Sequence, residues 1–364
     1  MRFFHEAGLL AGAGLVAVAT LSAAGQWYPA GRDARLGAML DQGLARYETP
    51  ELTLRLVRSS GTVAGLEARD PAAKGREGFD FTPAELLAAR SLEGYYHLGD
   101  LNLRLREAGT VEWRGFSTAL ERHPVKALTL RLGELERDDL RPTLPAEFPL
   151  EATRSWAVVD GKLALRFTLR NPGTRAIEIG SLGIPLIFDD VMSGKNLDEA
   201  HALCSFSDPS IALDGGYVQV TRLNGHGPAL VVVPDGKTPF EAYNPISEPH
   251  GRGRKAGLFG DLTPRNMTFE GFHEWMVASD AYQQNEWKNV DEWNPATMIV
   301  LKPGEERTVG LRFLVADSIG TVEKTLAENR RPVAVGIPGY ILPMDVEASL
   351  FLKYPQPVQK VLPS

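Results

Sequence analysis

The sequence predicts an all-β protein, a large two-sheet β-sandwich with a few short helices. Apolar residues recur with a period of two in one run after another. Turn signals separate these runs at short intervals. The 36 glycines and 25 prolines among 364 residues supply the turn chemistry that many short strands need. A composition of 43% hydrophobic and 23% charged residues is ordinary for a globular chain, and the length suits one large domain or two smaller ones.

Taken in order, the chain opens with an apolar run from Leu9 to Leu21 behind Arg2, closed by the small residues Ser22-Ala23-Ala24. This has the length of a signal peptide and is short for a membrane span, so cleavage is expected after Ala24 and the product is expected to be secreted. Glu6 is atypical of such a segment, and an uncleaved anchor is the other reading. Residues 34–48 carry Leu36, Met39, Leu40 and Leu44 at helical spacing, which predicts a short amphipathic helix in a lead-in over 25–49.

From residue 50 the period becomes two. ELTLRLVRSSGTVAGLEA alternates at Leu52, Leu54 and Leu56 and turns at Ser59-Ser60-Gly61. DLNLRLREAGTVEWRGFS alternates at Leu101, Leu103 and Leu105, and KALTLRLGEL repeats the pattern. SWAVVDGKLALRFTLRNPGTRAIEIGSLGIPLIF reads as three strands joined at Asp160-Gly161 and Asn171-Pro172-Gly173. An Asp-Gly pair between alternating runs is a strong hairpin signal. GYVQVTRL and GPALVVVPDG are further strands, MIVLKPGEERTVGLRFLVA is another hairpin around Pro303-Gly304, and a helix follows over 322–329. The sandwich is thus assigned to 50–340. Residues 341–364 read as a strand and a proline-marked linker.

The net charge is −7, with no basic patch, so nucleic acid is not an expected partner. The single cysteine, Cys204, excludes an internal disulfide and sits in the apolar context ALCSF, where a buried thiol is expected. Asn266-Met267-Thr268 is an N-glycosylation sequon. No GxSxG, HExxH, P-loop or dinucleotide fingerprint occurs, so no cofactor or metal is expected.

Three stretches carry candidate chemistry. In GYYHLGDLNLRLR (94–106), His97 shares the parity of Leu101 and Leu103. An unbroken strand would turn His97 to the core and Asp100 away, so the two meet only if Gly99 bulges. The residues 269–295, FEGFHEWMVASDAYQQNEWKNVDEWNP, hold three of the six tryptophans, Trp275, Trp287 and Trp293, among Glu286 and Asp291. Aromatic faces beside carboxylates and amides suit sugar binding, while a loop anchored by its tryptophans is the alternative. FDDVMSGKNLDEAH places Asp189, Asp190, Asp198 and Glu199 together but lacks an EF-hand spacing.

YYHLGDLNLRLR, FDFTP (79–83), RNPGTRAIEIGSLGIPLIF (170–188) and PGYILP (338–343) together resemble the uncharacterised six-hairpin-glycosidase-like family of secreted, mostly fungal proteins. The resemblance runs from about residue 50 to the end. It implies a galactose-mutarotase-like supersandwich that leads through a linker into an (α/α)6 toroid, with the catalytic carboxylates on the toroid. The sequence has nothing after residue 354 that could build such a toroid. The expected role is therefore a carbohydrate-related sandwich of a glycoside-hydrolase-like protein, not catalytic alone, with a poly- or oligosaccharide as partner. Two alternatives stand beside it. One is an aldose-epimerase-like enzyme pairing His226 or His273 with Glu274 or Glu241. The other is a glycan-binding module using the three tryptophans.

Overall fold

The computed structural model describes residues 39–69, 78–91, 95–192, 194–246, 272–337 and 343–357. The expected signal peptide, Leu36 and Asn266 lie outside them. The strands are β1 (Leu44–Glu48), β2 (Leu52–Val57), β3 (Val63–Ala68), β4 (Asn102–Glu107), β5 (Arg114–Ser117), β6 (Lys126–Ala127), β7 (Glu134–Asp139), β8 (Glu151–Val159), β9 (Lys162–Arg170) and β10 (Ile177–Leu186). They continue as β11 (Ser205–Ser210), β12 (Tyr217–Arg222), β13 (Ala229–Asp235), β14 (Ala242–Pro245), β15 (His273–Ala278), β16 (Ile299–Leu301), β17 (Glu306–Ala316), β18 (Val333–Ile337) and β19 (Ser349–Lys353). Four short helices are α1 (Leu87–Arg90), α2 (Leu197–Leu203), α3 (Asp280–Gln283) and α4 (Val322–Glu328).

All strand pairs among the described residues are antiparallel, and two sheets dominate. A six-stranded sheet runs β14-β15-β10-β4-β5, with β16 also on β10; an eight-stranded sheet runs β11-β12-β13-β17-β9-β8-β7-β6. The period of two aims one face of each at the other. Leu103, Leu105, Ile179, Ile184 and Trp275 meet Leu163, Leu165, Phe167, Leu311 and Phe313 in one buried cluster. The three-stranded sheet β1-β2-β3 adds Leu52, Leu54, Leu56 and Leu66 to that core. On the far side of the eight-stranded sheet, Val231, Val233 and Leu314 pack under Val322 and Leu326 of α4.

The hairpin at Asp160-Gly161 forms as expected. Both residues take positive φ, 51° and 77°, the mirror-image turn that matches strand twist, and Val159 pairs with Lys162. Cys204 is buried, its Sγ 3.2 Å from the Val191 carbonyl.

Three expectations are corrected. Leu44, placed on a helix by its spacing, opens strand β1 and pairs with Val57. KALTLRLGEL is not one strand: β6 covers only Lys126–Ala127 and β7 starts at Glu134. Gly133, at φ 82°, turns the chain there and leaves Leu132 fully exposed. The runs flanking Pro303-Gly304 do not pair with each other. β16 joins the six-stranded sheet through β10, and β17 joins the other through β9 and β13, so the turn crosses the sandwich. The Asn171 turn crosses in the same way from β9 to β10, and the two turns interlock. The Asn171 side chain donates to the Leu301 carbonyl at 2.8 Å, and Gly304 N–H donates to the Asn171 carbonyl at 2.8 Å.

Candidate functional site

The outer face of the six-stranded sheet carries the richest chemistry. Leu103 and Leu105 of β4 enter the core, so Asn102, Arg104 and Arg106 point outward. Trp275 enters the core from β15, so Glu274 and Met276 point outward, and on β14 Tyr243 enters while Ala242 and Asn244 do not. A register shift between Ile179 and Ser181 of β10 sets Gly180 beneath the Trp113 ring, where a Cβ would collide with it. The helix α3 and the turns after it lie over this face.

Glu274 sits at the centre, almost fully buried over Gly183, whose missing Cβ makes room for the carboxylate. Asn244 donates to one oxygen at 2.6 Å and Asn102 to the other at 2.7 Å. Burial pushes the Glu274 carboxyl above its usual range, against these bonds and the nearby Arg104 charge. Arg104 makes a two-pronged pair with Glu286, both contacts 2.7 Å, and its guanidinium lies 3.8 Å from the Tyr282 ring centre. Arg106 repeats the pattern with Glu178 at 2.6 Å, under the Trp113 ring at 4.0 Å. The Trp113 indole N–H donates to Gln284 at 3.0 Å, which ties α3 to the far end of the face.

Beside this row is a small pocket open to solvent, lined by Gln283, Trp287, Asp291, Glu292, Trp293 and Asn294, with Glu241 and Ser279 also on its walls. Glu241 is closed by its own partners. Ser279 donates to one oxygen, and Thr297 donates to both, from N–H at 2.9 Å and from its hydroxyl at 2.5 Å. Burial still raises its pKa.

The tryptophans therefore divide. Trp275 is 0% exposed and stacks on Phe240 at 3.8 Å, so it is a core residue with no face left for a ligand. Trp287 is buried against Tyr282, their ring centres 4.7 Å apart. Trp293 is 47% exposed at the pocket rim. Asp291 lines the pocket, whereas Glu286 is engaged by Arg104.

Among the described residues, neither His226 nor His273 lies on this face with Glu274 or Glu241. His226 lies exposed in the β12–β13 turn of the other sheet, its N–H bonded to Asn224 at 2.9 Å. His273 neighbours Glu274 in sequence but stacks at 4.3 Å on Tyr243, on the opposite side of the sheet. The pairs foreseen for an epimerase are not assembled among the described residues. His97 and Asp100 do meet, contrary to strand parity, because residues 97–100 form a tight turn with Gly99 at φ 119° and β4 starts only at Asn102. The His97 Nε2 to Asp100 Oδ1 distance is 3.4 Å. Both are buried in a charge cluster where Arg122 reaches Asp100 at 2.6 Å and Arg154 reaches Asp138 at 2.8 Å. Burial lowers the His97 pKa to about 3, against the pull of Asp100, so the ring is neutral. This pair is structural.

The acidic run at 189–199 is also committed elsewhere. Asp190 accepts from Ser205 at 3.0 Å and Ser207 at 2.9 Å, and Glu199 completes a capping box with Asn196 at the start of α2. Among the described residues no three His, Cys, Asp or Glu side chains come together as metal ligands. No described helix is long and apolar enough to cross a membrane. Sequence reasoning did not single out Asn102, Arg104, Asn244 or Tyr282. The signal was present for the first two, as polar residues in the outward phase of an alternating strand.

A sequence model of the family of unknown function DUF5695 matches residues 55–364. No curated protein matches the chain. Among solved structures, a polysaccharide lyase, BACCELL_00875, is 14% identical, with a TM-score of 0.53 over 80% of this chain and 36% of that one. The chain thus spans about a third of that lyase. A galactose mutarotase-like protein from Lactobacillus casei is 12% identical, with a TM-score of 0.41, over 75% of this chain and 100% of that one. A galactose mutarotase related enzyme from Lactobacillus acidophilus is 9% identical, with a TM-score of 0.39, over 76% and 98%. The likeness to the lyase is one of fold.

Proposed function

The chain belongs to the family of unknown function DUF5695, and we propose that this member of it is a saccharide-binding β-sandwich without catalysis of its own. One observation carries the reading. A half-exposed Trp293 stands at the rim of an open pocket whose walls offer carboxylate and amide groups. An indole face packs against the C–H face of a sugar ring while amides and carboxylates take its hydroxyls. Both oxygens of Glu274 and of Glu241 are held by neighbours, which suits these two carboxylates to shaping a binding face. The likeness of fold to a polysaccharide lyase supports a place beside a carbohydrate-acting unit in a longer protein. A toroid partner of six-hairpin-glycosidase type, signal cleavage after Ala24, secretion and a glycan on Asn266 belong to the same proposal.

The test is calorimetric titration of the chain with a panel of neutral and uronate-containing oligosaccharides. Saturable binding without turnover is expected. Trp293→Ala should weaken it by ~1–2 kcal/mol, about 5- to 30-fold, with an unchanged circular dichroism spectrum. Equal affinity of wild type and Trp293→Ala refutes the site.

A further inference from the structure

The ribbon β18–β19 is the one described sheet that gains no third strand. A two-stranded ribbon alone in water is marginal, and this one is apolar on both faces. Phe351 is 58% exposed on one face with Ile337 beside it, and Leu350 and Leu352 are exposed on the other. Every residue of β19 is exposed. Among the described residues no strand pairs with its outer edge, which runs beside apolar side chains and lacks the bulge or proline that usually blunts such an edge. The nearest prolines, Pro343 and Pro355, lie outside the strand on either side.

We propose that β19 is a homodimer edge, pairing antiparallel with β19 of a second copy about a two-fold axis at Phe351. The sequence of the strand is self-complementary in that register. Leu350 faces Leu352 of the second copy, Phe351 faces Phe351, and Ser349 faces Lys353. Charge favours the antiparallel sense. Asp345 and Glu347 precede the strand and Lys353 ends it, so each acidic lead-in runs diagonally beside the lysine of the other copy. The product is a four-stranded sheet, β18-β19-β19-β18, in which each β19 edge is covered by its own likeness.

Sedimentation equilibrium on the full chain at micromolar concentrations tests this. Twice the mass of the single chain is expected. Leu350→Lys with Leu352→Lys sets lysine against lysine at both sites and should give a single-chain mass. Leu350→Glu with Leu352→Lys sets glutamate against lysine twice and should restore the dimer. Both substituted positions are exposed in the single chain, so folding should persist, and circular dichroism checks it. A wild type of single-chain mass overturns the proposal. So does a dimer that survives the double-lysine change, or one that the Glu/Lys variant fails to restore. A single-chain wild type whose Phe351 is protected from hydroxyl-radical labelling would assign the cover to the chain's own remaining segments.

Discussion

Asp190 makes the stability of this sandwich depend on pH in an unusual direction. Its carboxyl is hydrogen-bonded only to the hydroxyls of Ser205 and Ser207, and burial pushes its pKa up to about 7 from 3.8, against those two bonds. The group is therefore protonated more readily in the folded chain than in the unfolded one. Its contribution is fully present below the unfolded pKa and is lost as pH rises through about 7. A shift of about three units corresponds to at most ~4 kcal/mol, and some solvent contact at Asp190 brings the expected value down to ~2–3 kcal/mol. Asp190→Asn keeps an uncharged group of the same shape that still bonds both serines. Urea unfolding of both proteins at pH 5 and pH 8 measures the difference. Only the two units between pH 5 and about 7 fall inside the tested range, so the stability of the wild type should fall relative to Asp190→Asn by ~1–2 kcal/mol on going from pH 5 to pH 8. Parallel behaviour of the two proteins across this range refutes the reasoning, because a carboxylate that ionises freely has no such debt.

Three other changes probe the sheet and its core. Gly183→Ala pushes a methyl into the Glu274 carboxylate and should cost ~1–3 kcal/mol, with a smaller cost in a Glu274→Ala background, as a double-mutant cycle in urea would read. Arg154→Met strands the buried Asp138 and should cost ~3–5 kcal/mol, most of it regained when Asp138→Leu is added. Trp275→Ala removes the Phe240 stack and should cost ~3–5 kcal/mol while leaving saccharide affinity per folded molecule unchanged, which unfolding and calorimetry separate.

Much of the fold was legible because a sandwich writes itself locally. The alternation in KLALRFTLR and the Asp160-Gly161 turn depend only on neighbours a few residues apart, and both formed where expected. What the sequence did not carry was the identity of the sheet each strand joins. The Pro303-Gly304 turn looks like a hairpin because its flanking runs alternate. Pairing, however, is decided by where β10 and β9 already lie, and Asn171 pins the crossing from a distance in sequence of 130 residues. The helix expected at Leu44 failed for a related reason: a weak spacing of leucines gave way to a free edge on β2.

The site shows the same division in a form that bears on function. Counting tryptophans and carboxylates over 269–295 treated the stretch as a loop and gave each residue equal standing. The period of two inside it sorts them differently. HEWMVA is a strand, so Trp275 and Glu274, adjacent in sequence, serve opposite sides of a sheet. One fills the core and the other anchors a polar row that Asn102 and Arg104 reach from β4, more than 160 residues away. Residue type located the region, and strand parity assigned the roles within it. Of the three aromatic residues, only Trp293 falls beyond the strand and keeps a face in water, so the binding proposal stands on that single ring. A ligand stacked there would leave Trp275 silent, and saccharide binding that survives Trp293→Ala undiminished would place the ligand elsewhere on the molecule.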